Sequence, residues 1–385
     1  MSKKIINVFI ILGTRPEAIK LAPLILELKR HDSFLATVCV TGQHTKMLFS
    51  ALEIFDIEPD IDLNIMKPNQ DLFDITSNIL LGIRSHLIRS KPDLVIVHGD
   101  TSTAFSAALA SFYLNIKVAH VEAGLRTYNI SAPFPEEFNR QIVSKIATYH
   151  FSPTPKNKQN LILESVKEDS IFVTGNTVID SLYIILNKIN KNSELQKRLS
   201  EKLERLISAD WKMNRIVLIT GHRRENFGMG FNNICKAIKE LSEDFPDICF
   251  VYPVHLNPNV QNPVSTILGG LKNVYLINPL DYITFVYLLH HSYLVLTDSG
   301  GIQEEAPSLG KPVLVMRNET ERDEGVEAGC VKLVGSESSK IYDGVSLLFH
   351  DNEEYDKISK VKNPYGDGTA SVQIVKNLKK LCYEE

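Results

Sequence analysis

Uninterrupted apolar runs alternate with stretches of helical periodicity along nearly the whole chain, and this alternation limits the possible folds more than any other feature. Ile5–Leu12 reads as a strand buried on both faces, which belongs in a parallel sheet covered by helices. Pro16 follows where a first-turn proline pre-sets helical geometry, opening a helix through about Lys29. Leu35–Val40, Leu94–His98, Lys117–Glu122 and Ile171–Thr174 are further strands. Helical patterns such as Leu72–Ile88 and Thr103–Tyr113 lie between them. Repeated βαβ units specify a doubly wound parallel sheet.

The pattern lapses after Ser181 into a charged helical stretch from Asn187 to Lys212. It restarts with Ile216–Thr220, Ile248–Val254, Val274–Ile277, Leu294–Thr297 and Val313–Met316. A chain of 385 residues suits two cores rather than one. The expected fold is α/β, with two Rossmann-like domains facing across a cleft. The expected limits are residues 1–180, a helical linker region over 181–213, a second domain over 214–366, and a terminal helix over 367–385 packed back on the first domain.

A net charge of −4 gives no basic field for nucleic acid or anionic membrane, so neither is expected as a partner. Cys39, Cys235, Cys249, Cys330 and Cys382 are odd in number and contain no C-x-x-C pair, which disfavours disulfides and zinc and fits a reducing cytoplasm. The first apolar run leads into Gly13-Thr14-Arg15-Pro16-Glu17 rather than a small-residue cleavage site, and no stretch is long enough to span a bilayer. Neither G-x-G-x-x-G nor G-x-x-x-x-G-K-[ST] occurs, so the NAD and P-loop readings have no motif; neither cofactor nor metal is expected.

In such sheets ligands bind beyond the carboxyl ends of the strands. Asp298-Ser299-Gly300-Gly301 follows a strand and opens a helix. Ser299, Gly300 and Gly301 form either a diphosphate cradle at a helix N-terminus or a tight turn that needs glycine. Glu305, one turn on, either accepts both hydroxyls of a ribose or is an exposed helical carboxylate. Arg15 and Arg322 offer fork geometry to phosphate. His222, beside Arg223 and Arg224, meets or protonates a diphosphate, or else serves as a capping or core histidine. Asp100, Glu122 and Glu136 supply acids from the first domain, although Asp100 also sits where a helix N-cap belongs. On a wheel with Phe138, Ile142, Val143 and Ile146 facing inward, Glu137 points to solvent, while Glu136 and Arg140 lie on the flank. Carboxylates in one domain and a phosphate cradle in the other suit nucleotide-sugar chemistry.

The motifs Gly13-Thr14-Arg15-Pro16-Glu17, His98-Gly99-Asp100, His120-Val121-Glu122-Ala123-Gly124-Leu125-Arg126-Thr127, Pro135-Glu136-Glu137, Thr174-Gly175-Asn176-Thr177, Gly221-His222-Arg223-Arg224-Glu225-Asn226 and Asp298-Ser299-Gly300-Gly301 together resemble the non-hydrolysing UDP-N-acetylglucosamine 2-epimerases. The likeness runs from about Ile6 to Asn363-Pro364-Tyr365-Gly366-Asp367-Gly368 and the helix after it, and looks closest to the enterobacterial surface-polysaccharide enzyme. The resemblance implies a glycosyltransferase-B-like fold, a homodimer and a UDP-sugar substrate. It implies catalytic roles for Asp100, Glu122, Glu136 and His222, and UDP contacts from Arg15, Lys20, Phe285, Ser299, Glu305 and Arg322. Some relatives carry a second, regulatory substrate site; Gln43 and His44 match it, whereas Lys46 and Asn69 stand where that pattern has a glutamine and an arginine.

The chemistry expected is reversible inversion at C2. The C2–H has no adjacent carbonyl, so the C1–O bond breaks first and a carboxylate then removes an acidified proton, leaving a glycal and UDP. Protonation from the other face and re-addition give the epimer, which requires acid–base groups serving both faces. A glycosyltransferase would share the nucleotide end but needs an acceptor site; a hydrolysing epimerase would release free sugar; a silent UDP-sugar sensor would lack the carboxylates.

Overall fold

The computed structural model describes residues 5–42, 45–67 and 70–383. The chain divides into two compact units, Met1–Ser181 with Tyr365–Glu385, and Leu182–Pro364.

In the first unit the strands are β1 (Ile6–Leu12), β2 (Phe34–Val40), β3 (Ile61–Asp62), β4 (Leu94–His98), β5 (Lys117–Val121), β6 (Tyr149–Ser152) and β7 (Ile171–Val173). They form one parallel sheet in the order β3-β2-β1-β4-β5-β6-β7. The order reverses between β1 and β4, and such a switch point is where doubly wound sheets open a ligand crevice. Phe9, Ile11, Val95, Val97 and Val118 share one buried face with the alanines of the helix Ser102–Tyr113. That helix is small-faced, so it lies close to the sheet. A Cβ on Gly13, just after β1, would sit 2.2 Å from Thr103 Oγ1 and 2.4 Å from Thr41 Oγ1. Glycine is required there by close approach.

The helix Arg15–Lys29 starts as expected, with Pro16 in its first turn. Thr14 caps it, and the Glu17 carboxylate turns back to accept the N–H groups of Thr14 (2.8 Å) and Gly13 (3.0 Å) in a capping box. The tail helix Ala370–Tyr383 belongs to this unit. Asp180 accepts the first free N–H groups of that helix, from Ala370 (3.2 Å) and Ser371 (2.8 Å). The leaving and returning segments touch. Asn176 N–H donates to the Tyr365 carbonyl at 2.7 Å, and Gly175 and Gly366 pack backbone to backbone.

The second unit carries β8 (Arg215–Thr220), β9 (Ile248–Pro253), β10 (Val274–Ile277), β11 (Leu294–Thr297), β12 (Val313–Val315) and β13 (Val331–Leu333). They are again parallel, in the order β10-β9-β8-β11-β12-β13, with the reversal between β8 and β11. The helix Met229–Asp244 buries Phe231, Ile234, Cys235, Ile238 and Leu241, a helical stripe lying on the β8 and β9 side chains Val217, Ile219 and Phe250. The helix Ser193–Leu206 groups with this unit.

The apolar strands read from the sequence are present within a residue or two at their ends. β3, β6 and β13 were not anticipated. Tyr149-His150-Phe151-Ser152 is too polar to read as a run, and the other two are short. Among the described residues, no helix is long and apolar enough to cross a membrane.

Candidate active site

At the carboxyl end of the first sheet, Glu122 follows β5 in a left-handed conformation (φ +64°), which turns its side chain back over the strand ends. The carboxylate is buried and held by donors: Lys20 Nζ, from the first helix, and Asn176 Nδ2 at 2.7 Å. His98 Nε2 lies 3.8 Å away. Burial drives the His98 pKa down to about 4 against the pull of Glu122, so the ring is neutral at pH 7. Asp100 follows β4 and is half-buried. Its Oδ2 accepts from Arg140 Nη2 at 2.5 Å, and its backbone carbonyl accepts from Asn139 Nδ2 at 2.9 Å. Asp100 is not the N-cap of the next helix. Thr101 takes that role, accepting the Ala104 N–H at 3.0 Å, which leaves the Asp100 carboxylate to Arg140. Arg15 is exposed in the first turn after β1, and Glu136 is half-buried at the start of the helix Glu136–Ile146.

The second sheet's carboxyl end is organised around Asp298, which has no exposed surface. Its carboxylate accepts the backbone N–H of His222 (2.9 Å) and of Arg223 (2.8 Å), and Asn226 Nδ2 (3.3 Å). One buried group therefore shapes the whole loop after β8. The His222 ring lies 3.5 Å from Asp298 and stacks on His255 at 5.4 Å. Removal of its inner edge from water lowers its pKa, Asp298 raises it, and Arg223 and His255 lower it again. Ser299 stands at the N-cap of the short helix Gly300–Glu305 without making a capping bond through its hydroxyl. A Cβ on Gly300 would lie 3.2 Å from the Arg322 guanidinium carbon, whereas one on Gly301 would meet only the end of Glu305, at 4.0 Å. Gly300 is thus what admits Arg322 to the turn. Arg322 is itself engaged, by Glu304 (3.0 Å) and Glu321 (2.9 Å). Glu321 also takes Arg317 (2.8 Å) and Arg223 (3.3 Å). Burial pushes the Glu321 carboxyl up, but the three guanidinium groups overcome that and hold it well below the usual range. Glu305 is buried and accepts from Tyr282 Oη at 2.7 Å. Phe285 is half-buried on the helix Tyr282–His291.

A sequence model of the UDP-N-acetylglucosamine 2-epimerase family matches residues 26–379. The chain belongs to this family. Members of this epimerase family are isomerases. The chain is 55% identical over 378 residues to a UDP-N-acetylglucosamine 2-epimerase of Campylobacter jejuni, covering 97% of each chain. It is 52% identical over 376 residues to that of Escherichia coli K12, covering 98% of each. Among solved structures, it resembles the Neisseria meningitidis UDP-GlcNAc 2-epimerase bound to UDP-GlcNAc with a TM-score of 0.91 at 50% identity, covering 97% of this chain and 100% of that one. The fold is accordingly the two-domain, glycosyltransferase-B-like one.

In this epimerase-family chain the folding brings Lys20 to Glu122 and Arg140 to Asp100 in the first unit. In the second, His222 lies on the loop after β8, Ser299, Gly300 and Glu305 on the turn and short helix after β11, and Arg322 on the segment after β12. Gln43 and His44 lie outside the described residues. One expectation is overturned. Glu137 does not point to solvent; it has no exposed surface. Phe138, expected inside, is 39% exposed, its ring 5.9 Å from Phe105. The helix buries Glu137, Asn139, Arg140, Val143 and Ser144, a mostly polar face satisfied by ion pairs and backbone groups, so the apolar stripe misassigned its orientation. Asn176, Asp298, Glu321 and Tyr282 were not singled out as site residues. Asn176 and Asp298 each lie just past a strand end, which was the available signal.

Proposed function

We propose that this chain interconverts UDP-N-acetylglucosamine and UDP-N-acetylmannosamine by eliminating UDP to a 2-acetamidoglucal and adding it back, with no redox cofactor and no metal. The observation that carries the reading is the donor-held Glu122. A carboxylate accepting from Lys20 and Asn176 is kept ionised, the state a base needs to take an acidified C2 proton. Asp100, paired with Arg140, and Glu136 are the further acid–base groups the opposite face requires. The second unit's turn at Ser299 to Gly301, with Arg322 and His222, is assigned to the diphosphate, and Glu305 to the ribose; for Arg15 and Lys20 the family resemblance implies UDP contact. Phe285 is assigned to UDP contact. Holding UDP after C1–O cleavage is what allows its re-addition. Proton NMR of the purified protein with UDP-N-acetylglucosamine in D₂O tests this. Deuterium is expected at C2 of both epimers, and added NAD or chelator should leave the rate unchanged. Epimers formed without C2 label would overturn the mechanism.

We also propose a cytoplasmic homodimer. Phe73, Leu81 and Ile88 leave an exposed apolar stripe along the helix Leu72–Ser90, and such a stripe favours association with a second copy. Light scattering of Leu81→Glu should give the mass of one chain where the unaltered protein gives two; an unaltered protein that is itself monomeric would sink the idea.

A further inference from the structure

The helix Glu136–Ile146 opens with two glutamates of opposite fate. Glu136 is half-buried, while Glu137 is sealed from solvent. A carboxylate is tolerated in such a place only when donors surround it. Here Oε1 accepts from Tyr128 N (3.1 Å) and Gln141 Nε2 (2.9 Å). Oε2 accepts from Thr127 N (3.1 Å) and faces Arg140 Nη1 at 3.4 Å. All four neighbours are donors, so both oxygens are used as acceptors. A glutamine would turn an NH₂ towards two of them.

Arg140 leads from this buried charge to the site. It is buried, its Nη2 donates to Asp100, and its Nη1 makes no hydrogen bond among the described residues, only the ion pair with Glu137. Its guanidinium is therefore fixed between two carboxylates, Asp100 at the strand end and Glu137 behind. The neighbouring Asn139 fixes the Asp100 carbonyl from the same helix. Among the described residues Glu137 makes no hydrogen bond or ion pair with Asp100 or with any group assigned to the nucleotide. Whatever it does for the reaction, it does through Arg140 and through the turn at Thr127 and Tyr128.

We propose that Glu137 is a positioning residue for proton transfer: a buried, donor-surrounded carboxylate that sets the Arg140 guanidinium and thereby the aim of the Asp100 carboxylate. This rests on the reading of Asp100 as an acid–base group. Misplacing a reacting group by about 1 Å costs about 10²-fold in rate. Glu137→Gln should accordingly lower kcat about 10²-fold, with calorimetric affinity for UDP unchanged, because the nucleotide groups lie chiefly on the second unit.

A double-mutant cycle separates positioning from mere anchoring of the turn. If Glu137 acts through Arg140, the double variant Glu137→Gln/Arg140→Met is no slower than Arg140→Met alone. Additive losses, or a wild-type kcat in Glu137→Gln, overturn the proposal. Should Glu137→Gln fail to fold, Glu137→Asp keeps the charge but withdraws it by about one methylene. It should fold, bind UDP normally and lose at least about 10-fold in kcat, and a wild-type kcat there overturns the proposal equally. Asp100→Asn, measured alongside, separates the two levels. Normal turnover in Asp100→Asn removes the acid–base reading itself, whereas a dead Asp100→Asn beside an unimpaired Glu137→Gln removes only the role of Glu137.

Discussion

Replacing Asp298 in two ways measures how far the loop after β8 depends on a single buried group. Its Oδ2 serves three donors: His222 N at 2.9 Å, Arg223 N at 2.8 Å and Asn226 Nδ2 at 3.3 Å. Asp298→Ala strips the acceptor from all three. Each buried donor left bare costs about 1–3 kcal/mol, so the total is on the order of 5 kcal/mol. Asp298→Asn can keep its amide oxygen in the Oδ2 position and satisfy the same three donors. Its NH₂ then takes the Oδ1 position, 3.5 Å from His222 Nδ1, which can accept when the ring is neutral, but also 3.1 Å from the His222 backbone N–H, a donor it cannot serve. What is lost is the difference between charged and neutral hydrogen bonds, roughly 1–3 kcal/mol in all. Trp211, the single tryptophan, is fully buried in the second unit, so its fluorescence during urea unfolding reports on that unit. The expected order is wild type, then Asp298→Asn, then Asp298→Ala, with about 2 kcal/mol or more between the variants. His222 gives a second readout. Desolvation lowers its pKa and the Asp298 charge raises it, so its NMR titration midpoint should fall in Asp298→Asn. Equal stabilities for the two variants, or a midpoint that rises, would refute the reasoning.

Glu305→Gln removes a charged acceptor and should weaken UDP binding by about one to two decades, a charged hydrogen bond being worth roughly 1.5–3 kcal/mol; an unchanged calorimetric Kd would take Glu305 out of the site. Asp100→Asn, Glu122→Gln and Glu136→Gln should each fold, bind UDP and lose ~10²–10⁴-fold in kcat, with release of glycal and UDP wherever re-addition suffers more than elimination. A deficit confined to KM would recast these groups as sugar-binding. Acid should weaken the first unit, because burial above all pushes His98, His120 and His150 down to about 4, 3 and 4. The unfolded chain takes up these protons near pH 6.5 and the folded one does not, so stability present above that pH is lost as pH falls towards 4. At pH 5 this is on the order of 2 kcal/mol per histidine, and hydrogen exchange of the β5 and β6 amides at pH 7 and pH 5 should show it; identical protection would count against buried neutral rings.

What could be read from the sequence follows from which forces are local. Strands such as Ile6–Leu12 and Leu94–His98 are buried on both faces, so their composition alone announces them. Pro16 and Glu17 mark a helix start by chemistry that acts within one turn. Asp100, Glu122, His222 and Ser299 do lie just past strand ends, as read from the sequence. That reading could not supply their partners. Asn176 reaches Glu122 across 54 positions and Arg140 reaches Asp100 across 40, distances set by strand order rather than by spacing. The inward face of Glu136–Ile146 failed for a related reason. A helix whose buried side is satisfied by ion pairs and backbone groups has no apolar stripe to betray it, and Phe138 took the place of Glu137.

The two units solve the problem of handling charge in opposite ways. In the first, each of two acids is matched to a cation, Glu122 to Lys20 and Asp100 to Arg140, so the carboxylates are aimed. In the second, the cations are the guests: Arg322 is gripped by Glu304 and Glu321, and Arg223 and Arg317 also converge on Glu321. A diphosphate bound at Arg322, as proposed, would therefore meet a guanidinium that is already oriented but partly neutralised. It gains fork geometry at little ordering cost, and gains less Coulomb attraction than a bare arginine would give. That balance suits the mechanism proposed above, in which UDP is retained while detached from its sugar and then given up to re-addition. It also means that deleting Arg322 would take one cation from both Glu304 and Glu321 beside the position proposed for the phosphates. The loss measured on deletion would then contain their repulsion as well as the missing contact, and would overstate what the arginine contributes to holding UDP.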